Sequence, residues 1–363
     1  MRFLNKLLCA VLAAALAAAL CFCAIGCDGT VSTAGSTNGL KLHMLDVGQG
    51  DSLLLECDGS YMLVDAGEAD RGNRVVEYLK SQNVSKLSYA VITHPHSDHF
   101  GGMKKVLQSI PTDNIVMTEA YNTTRAWESL IDYIDKEDFN VVFPKTNDVF
   151  NVGGCKVNAY SPNIDNDNKN NCSLVLRAVY DNMAVLLTGD AEKSEENKIL
   201  ESGFNVQADV LKLGHHGSST STSSEFLEKV NPSLALISCG KNNDYGHPHK
   251  ETLSKLKNSD IPVMRTDLDK AVTVSLCNNK ITVLASKREQ VIPKRGGADT
   301  SLSYEVSSAD SSQHRYIGNK SSRVFHLGSC KSVNKMSDKN KVYFDSREQA
   351  SESGYSPCGY CKP

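Results

Sequence analysis

Thr93-His94-Pro95-His96-Ser97-Asp98-His99 sets three imidazoles and one carboxylate within the six positions 94–99. It follows directly on Tyr89–Thr93, an apolar run that reads as a strand. A tight loop at a strand end lets several side chains converge on one point. Imidazole and carboxylate together suit divalent zinc, manganese or iron. Only 10 histidines occur in the 363 residues, so three in six positions are not the scatter of an ordinary polar loop.

Outward from this loop, residues 40–285 alternate between strand and helix patterns. Leu40–Leu45, Ser52–Cys57 and Tyr61–Val64 read as short strands, and Asn73–Gln82 carries helical spacing in Val75, Val76, Tyr78 and Leu79. Helices are expected near Lys104–Ser109, Thr124–Lys136, Glu192–Ser202, Ser224–Val230 and His249–Asn258. Strands are expected at Asn114–Met117, Val141–Phe143, Cys155–Tyr160, Ser173–Tyr180, Ala184–Leu187, Val210–Leu213 and Leu234–Ser238, with a closing hairpin. Strands interleaved with helices imply an α/β sandwich. Residues 286–313, basic and then Ser-rich, read as a linker to a small unit at 314–363.

Composition bounds the function. With 40% hydrophobic and 22% charged residues the chain is globular rather than disordered or fibrous. The formal charge is −3, and without residues 1–26 it is −5, so no global basic surface exists for nucleic acid. The dense basic stretch is local: Lys287, Arg288, Lys294, Arg295, Arg315, Lys320 and Arg323. It is either a phosphate-contacting patch or a solvated linker.

The start of the chain reads as an address. Arg2 and Lys6 precede an Ala/Leu-rich apolar run over residues 7–25, the pattern of an export signal, with an uncleaved membrane anchor as the alternative. Ala24-Ile25-Gly26-Cys27 resembles a bacterial lipobox, which makes Cys27 the expected lipidation site after a signal peptide at 1–26. Residues 27–39 then form a flexible tether. The expectation is a cell-surface lipoprotein on the outer face of the cytoplasmic membrane, or otherwise a secreted protein, with no obligate protein partner.

The HxHxDH pattern resembles the metallo-β-lactamase superfamily. Tyr61–Gly67 matches its first motif, in which Asp65 supports the metal loop. Leu186-Leu187-Thr188-Gly189-Asp190 matches the strand that ends in a metal-bridging Asp, and Leu213–Ser218 supplies the late His. Leu45–Ser52 and Gly214–Ser218 are similar to the extracellular hydrolase domain of ComEC-type DNA-uptake proteins, over roughly residues 40–285. The many-helix channel of that family is absent, so a stand-alone, tethered relative is expected. The resemblance implies an α+β fold, an αββα sandwich with a small C-terminal zinc-binding domain.

Carried over residue by residue, it implies two divalent ions, Zn or Mn. His94 and His96 would hold one, and Asp98 and His99 the other, with Asp190 between them. His215 is the expected remaining ligand and His216 its neighbour that exchanges roles. No His stands between 99 and 215, and Asn170 occupies the corresponding Asn-x-x-Ser stretch. Asp98 and His247 are the expected catalytic residues; His247, in Tyr245–His249, would bind a phosphoryl oxygen or protonate a leaving group. Asp46, Gln49 and Asp51 would orient the ligands from behind. His249 is expected only to cap a helix.

In the last 50 residues, His326-x3-Cys330 and Cys358-x2-Cys361 have tetrahedral zinc spacing. A disulfide between two of the three thiols is the alternative, but it strands the third. The segment resembles the zinc-binding domain of the Ada DNA-repair protein. In that family the position of His326 is a Cys that accepts a methyl group from DNA phosphate, so here a structural or DNA-docking role is implied. The expected function is an exported metal-dependent phosphodiesterase or DNase. The alternatives are a cell-wall phosphocholine or phosphodiester hydrolase, and a surface DNA-binding module with a vestigial hydrolase site.

Overall fold

The structure, a computed structural model, describes residues 39–164, 167–285, 288–295, 316–327, 330, 332–344, 347–359 and 361. The expected signal, Cys27 and, apart from Gly39, the tether lie outside the described residues. Strands β1 (Leu40–Met44), β2 (Leu53–Cys57), β3 (Ser60–Val64), β4 (Leu87–Ile92), β5 (Thr112–Met117) and β6 (Asn140–Val142) come first. They are followed by β7 (Val149–Val152), β8 (Cys155–Tyr160), β9 (Val175–Tyr180), β10 (Met183–Leu187), β11 (Val210–Lys212), β12 (Leu234–Ile237) and β13 (Val263–Arg265). β14 (Val272–Cys277), β15 (Lys280–Ala285) and β16 (Arg288–Ile292) close the larger unit.

These strands form two sheets. One has the order β16-β15-β14-β1-β2-β3-β4-β5-β6, the other β13-β12-β11-β10-β9-β8-β7. Alternation along the strands builds the layer between them: Leu40, Leu42 and Met44, with Val272, Val274 and Leu276 on the neighbouring strand, join one buried cluster with Leu176, Val185 and Leu236 of the second sheet. The opposite faces are covered by helices. Gly72–Ser81, Met103–Ser109 and Arg125–Lys136 supply Val75, Leu79, Val106, Trp127 and Leu130 against the first sheet. Lys193–Glu201, Ser224–Val230 and Lys250–Asn258 supply Ile199, Phe226, Leu227 and Leu256 against the second. The layers therefore run helix, sheet, sheet, helix, as the resemblance implied.

Each sheet has a parallel part: β3 to β6 in the first and β10 to β13 in the second. Parallel neighbours need crossovers, and the helices provide them. This arrangement gathers the carboxyl ends of β3, β4, β10, β11 and β12 and the loops that leave them, the usual place for a site in such sheets.

The linker expected at 286–313 is corrected at its start. Arg288–Ile292 is an edge strand paired antiparallel with β15, from Ala285↔Arg288 to Ile281↔Ile292. Ile292 is buried, which gives the segment an apolar reason to dock. Lys294 Nζ then donates to the Asn182 carbonyl and pairs with Asp209 at 3.2 Å, while Arg295 bonds to Ser233, Ser259 and Asp260. Two of the seven cations of the basic stretch, Lys294 and Arg295, are thus tied into the hydrolase domain itself; Lys287 and Arg315 lie outside the described residues. The compact units divide after Arg295.

The second unit has a four-stranded sheet of its own, β17 (Tyr316–Asn319), β18 (Val324–Leu327), β19 (Lys341–Phe344) and β20 (Ser356–Pro357), in the order β19-β17-β18-β20. Its main apolar cluster is small: Phe325, Phe344, Ala350 and Tyr355.

Candidate metal centre

β4 ends at Ile92, and the chain turns at once through His94–His99 into the short helix Ser97–Phe100. Asp65, in the left-handed region at φ 60° just past β3, organises that turn. Its Oδ1 accepts from Thr93 N and its Oδ2 from Thr93 Oγ1, at 2.9 and 2.7 Å. Asp65 Oδ2 also lies 2.7 Å from His99 Nδ1. The imidazole is thereby oriented with Nε2 facing inward. The loop after β1 supports the same turn: Asp51 N donates to the Asp98 carbonyl at 3.0 Å. A Cβ on Gly50 would sit 2.3 Å from that carbonyl, and φ there is +123°, so the close approach requires glycine.

Asp190 enters from the second sheet, just beyond β10, with its own N–H donating to Ser173 Oγ at 3.0 Å. Its two oxygens face different imidazoles. Oδ1 lies 3.2 Å from His99 Nε2, and Oδ2 lies 3.8 Å from His94 Nε2 and 3.6 Å from His216 Nε2. His96 Nδ1 is 3.0 Å from His94 Nε2. Asp98 Oδ2 is 3.2 Å from His216 Nε2 and 4.0 Å from His99 Nε2. Two donor groups result, His94, His96 and Asp190 on one side, and His99, Asp190 and His216 with Asp51 on the other.

The electrostatics match a site built for cations. Burial would lower the pKa of His99, yet the carboxylates of Asp190, Asp65 and Asp98 hold it well above the usual imidazole value. Burial likewise opposes the charge on His216, but Asp190, Asp51 and Asp98 raise it to about 10. Burial pushes His94 the other way, well below its ordinary value, with His99 adding to the effect. Asn170 Oδ1 is buried without a hydrogen-bond partner, and His99 Nε2 and Asp190 Oδ1 face each other at 3.2 Å without a well-aligned bond, an arrangement that a bound cation would satisfy. The residues present fit metal ions.

The late histidine is a correction. The structure brings His216 into the cluster, not His215. Both residues are left-handed, at φ 49° and 54°, and their side chains part. His216 is buried, with Nδ1 3.0 Å from the Ser238 carbonyl and 3.3 Å from Asp51 Oδ1. His215 is partly exposed, its Nδ1 3.2 Å from Glu192 Oε1 and 3.3 Å from Thr220 Oγ1. Asp46 is a second correction. It turns away from the ligands, accepting from Gly48 N and pairing with Arg74 at 3.1 Å, so it fixes the loop and the flanking helix instead.

Asn170 is buried beside His96, and its Nδ2 donates to Glu192 Oε1 at 3.1 Å. His247 stands at the rim, 6.1 Å from His216 between ring centroids. Burial first, then His216, His215 and His249, lower its pKa to about 4. His249 occupies the N-cap position of its helix but makes no capping bond; its Nδ1 accepts from Ser219 N at 2.9 Å.

Two participants carry no motif of their own. Lys212, fully buried at the end of β11, places Nζ 2.7 Å from Asp51 Oδ2, and Glu192 gathers Asn168, Asn170, His215 and Thr220. The one signal for Lys212 is a charge inside the apolar run Val210-Leu211-Lys212-Leu213.

The family model of the metallo-β-lactamase superfamily matches residues 45–241, which span both donor groups. The chain belongs to the metallo-β-lactamase superfamily. Its fold and donor set make it a metal-dependent hydrolase of that fold. It is 32% identical to ComE operon protein 3 of Bacillus subtilis over 246 residues, 62% of this chain and 32% of the relative. It is 34% identical to competence protein ComA of Neisseria gonorrhoeae over 243 residues, 66% of this chain and 33% of that one. The chain thus spans about a third of the length of these relatives. Among solved structures, the metallo-β-lactamase fold protein YhfI of Bacillus subtilis aligns at 13% identity with a TM-score of 0.44, over 62% of this chain and 96% of that one.

The model of the metal binding domain of Ada matches residues 303–363. There His326, Cys330, Cys358 and Cys361 bring one donor atom each within 4.8 Å of the others, a Cys3His set for zinc. Burial, and then the Cys330 and Cys358 thiols, push Cys361 up to about 11. A cation among them reverses that cost.

Proposed function

We propose that this hydrolase is an exported phosphodiesterase that acts on DNA at a dinuclear centre. The observation that carries the reading is Asp190, a buried carboxylate that belongs to both donor groups: its Oδ1 faces His99, and its Oδ2 faces His94 and His216. His94, His96 and Asn170 would serve one ion, and Asp98, His99 and His216 the other, with Asp190 between them and Asp51 behind His216. Two divalent ions supply an activated water and neutralise charge at an anionic phosphorus centre.

The chain's own groups do the rest. Gln49 Oε1 accepts from Gly240 N at 3.1 Å, which fixes the amide so that its Nε2 faces His247 Nδ1 at 3.4 Å. Nδ1 of His247 is therefore the acceptor, and Nε2–H is left to donate to a phosphoryl oxygen. Asp65 holds the His99 tautomer, as Ser238 and Asp51 hold His216. The similarity to competence proteins supports DNA as the polymer. Export rests on the signal pattern and Cys27, and the C-terminal unit, lacking a thiol at His326, would dock the polymer and carry out no methyl transfer. Among the described residues no helix is long and apolar enough to cross a membrane.

The test is metal analysis of the purified chain with assays on single-stranded DNA, duplex DNA and a small phosphodiester. About two ions in the hydrolase domain, cleavage of DNA, and its loss in a folded Asp190→Ala variant are expected. Cleavage confined to a choline-bearing phosphodiester would replace the DNA reading, and parental activity in Asp190→Ala would end the dinuclear one.

A further inference from the structure

We propose that Tyr245 is a stacking platform for a nucleobase beside the reacting phosphate, so that the site selects unpaired nucleotides. This rests on the nucleic-acid reading above and names the form of polymer that the site takes. Tyr245 is 68% exposed, more than any other large apolar side chain among the described residues. Its ring stacks on His247 with centroids 5.6 Å apart and planes 22° apart. His247 in turn lies 5.3 Å from His215 and 6.1 Å from His216. The exposed ring is therefore one imidazole removed from the metal-binding cluster.

The backbone that carries the ring is tied down. Asn243 Oδ1 accepts from both Tyr245 N and His247 N, at 3.1 and 3.0 Å, and its Nδ2 donates to the carbonyls of Gly240 and His247 at 2.9 and 2.6 Å. Gly246, at φ +74°, supplies the left-handed turn between the two rings. Because folding already orders this loop, a ligand that stacks on Tyr245 meets little further ordering cost. The exposed charges around the loop balance, Lys241 and Lys250 against Asp244 and Glu251, so the platform rests on the ring and its place beside His247 and not on local charge. A second exposed ring, Tyr121, sits on the loop after β5, where the next residue, Asn122, donates to the Pro95 carbonyl at 2.6 Å between the two ligands His94 and His96. Each sheet thus sends an exposed tyrosine into a loop bound to the metal site.

A flat, exposed ring fits a π-faced group. Bases in a duplex already stack on their neighbours, whereas those of a single strand are free to stack on protein, irrespective of sequence. The test uses the full-length chain and its Tyr245→Ala and Tyr245→Phe variants. Binding to a nuclease-resistant phosphorothioate oligothymidine, to an abasic strand of equal length and to a duplex is measured by fluorescence anisotropy, with KM and kcat on cleavable strands.

Tyr245→Ala is expected to weaken single-strand binding roughly 5- to 150-fold and to raise KM more than it lowers kcat. The preference for the base-bearing strand over the abasic one should vanish in that variant and persist in Tyr245→Phe. Unchanged single-strand binding by Tyr245→Ala, an equal loss on the abasic strand, or a parental preference for duplex would each overturn the proposal. Tyr245-dependent binding without cleavage would overturn only the hydrolytic reading, and cleavage indifferent to Tyr245 only this one.

Discussion

The two metal-binding regions of this chain stand in opposite relation to their scaffolds. The hydrolase centre sits at the ends of strands between two sheets, each backed by helices over its own apolar cluster. The C-terminal centre belongs to a unit whose main cluster is four buried residues, with Cys330, Val333 and Cys358 forming another around the ligands themselves. In the first, a large core pre-positions the ligands and the ions add chemistry. In the second, the ligands are a substantial part of the core, so metal binding and folding are one process. The first region is therefore expected to keep its fold without metal, and the second to lose it.

Chelation tests this contrast with the largest expected effect. Removing zinc from His326, Cys330, Cys358 and Cys361 should withdraw about 10–16 kcal/mol of apparent binding free energy and unfold the C-terminal unit. The hydrolase domain should keep its unfolding transition, and limited proteolysis with calorimetry would separate the two. A chelator that melts both units together would break the comparison.

Next come the paired histidines. His216→Ala should lose metal from the hydrolase centre and at least about a thousandfold in activity, a larger loss than the 10- to 100-fold typical of a residue that only orients ligands. His215→Ala should retain the metal. Metal content by elemental analysis reads both, and the reverse ranking would restore His215 as the ligand.

Lys212→Met tests the scaffold under the first centre. Removing one member of a fully buried ion pair leaves the Asp51 carboxylate with His216 as its remaining close partner, a loss of at most about 3–5 kcal/mol. Chemical denaturation should show this loss in the hydrolase domain alone.

The smallest effect is one of acid. A hydrogen bond from His43, and then Lys41, outweigh burial and lower Glu56 from 4.5 to about 2. A depressed folded pKa contributes stability that is present above about pH 4.5 and lost as pH falls towards 2. The pair is partly solvated, so the contribution is about 1 kcal/mol after screening. Glu56→Gln should flatten the acid limb of the hydrolase domain's stability curve over that window.

Much of the hydrolase domain was legible because its signals are local. The apolar strand running into His94, the amphipathic spacing of Val75, Val76 and Leu79, and the Thr-Gly-Asp at 188–190 each declare themselves within a few residues. Edge strands declare themselves least. Arg288–Ile292 carries Arg288, Glu289 and Gln290 beside its two apolar residues and reads as a linker; only the partner strand β15 makes it part of the sheet.

The sequence by itself determined the donor types, their order along the chain and the family, because metal loops are short-range and their chemistry is written in adjacent residues. It also marked the His-x3-Cys and Cys-x2-Cys pairs. Which of two adjacent histidines faces the metals was decided only by tertiary structure. At a left-handed turn, neighbouring side chains diverge, and their destinations are set by Ser238 and Asp51 on one side and by Glu192 and Thr220 on the other. The same holds for Asp46 and Asp51, five residues apart in one loop. One meets Arg74 at the surface, and the other is buried against Lys212, 161 residues away in sequence. Long-range packing assigns such roles, since the energy that selects them comes from partners that no local pattern names.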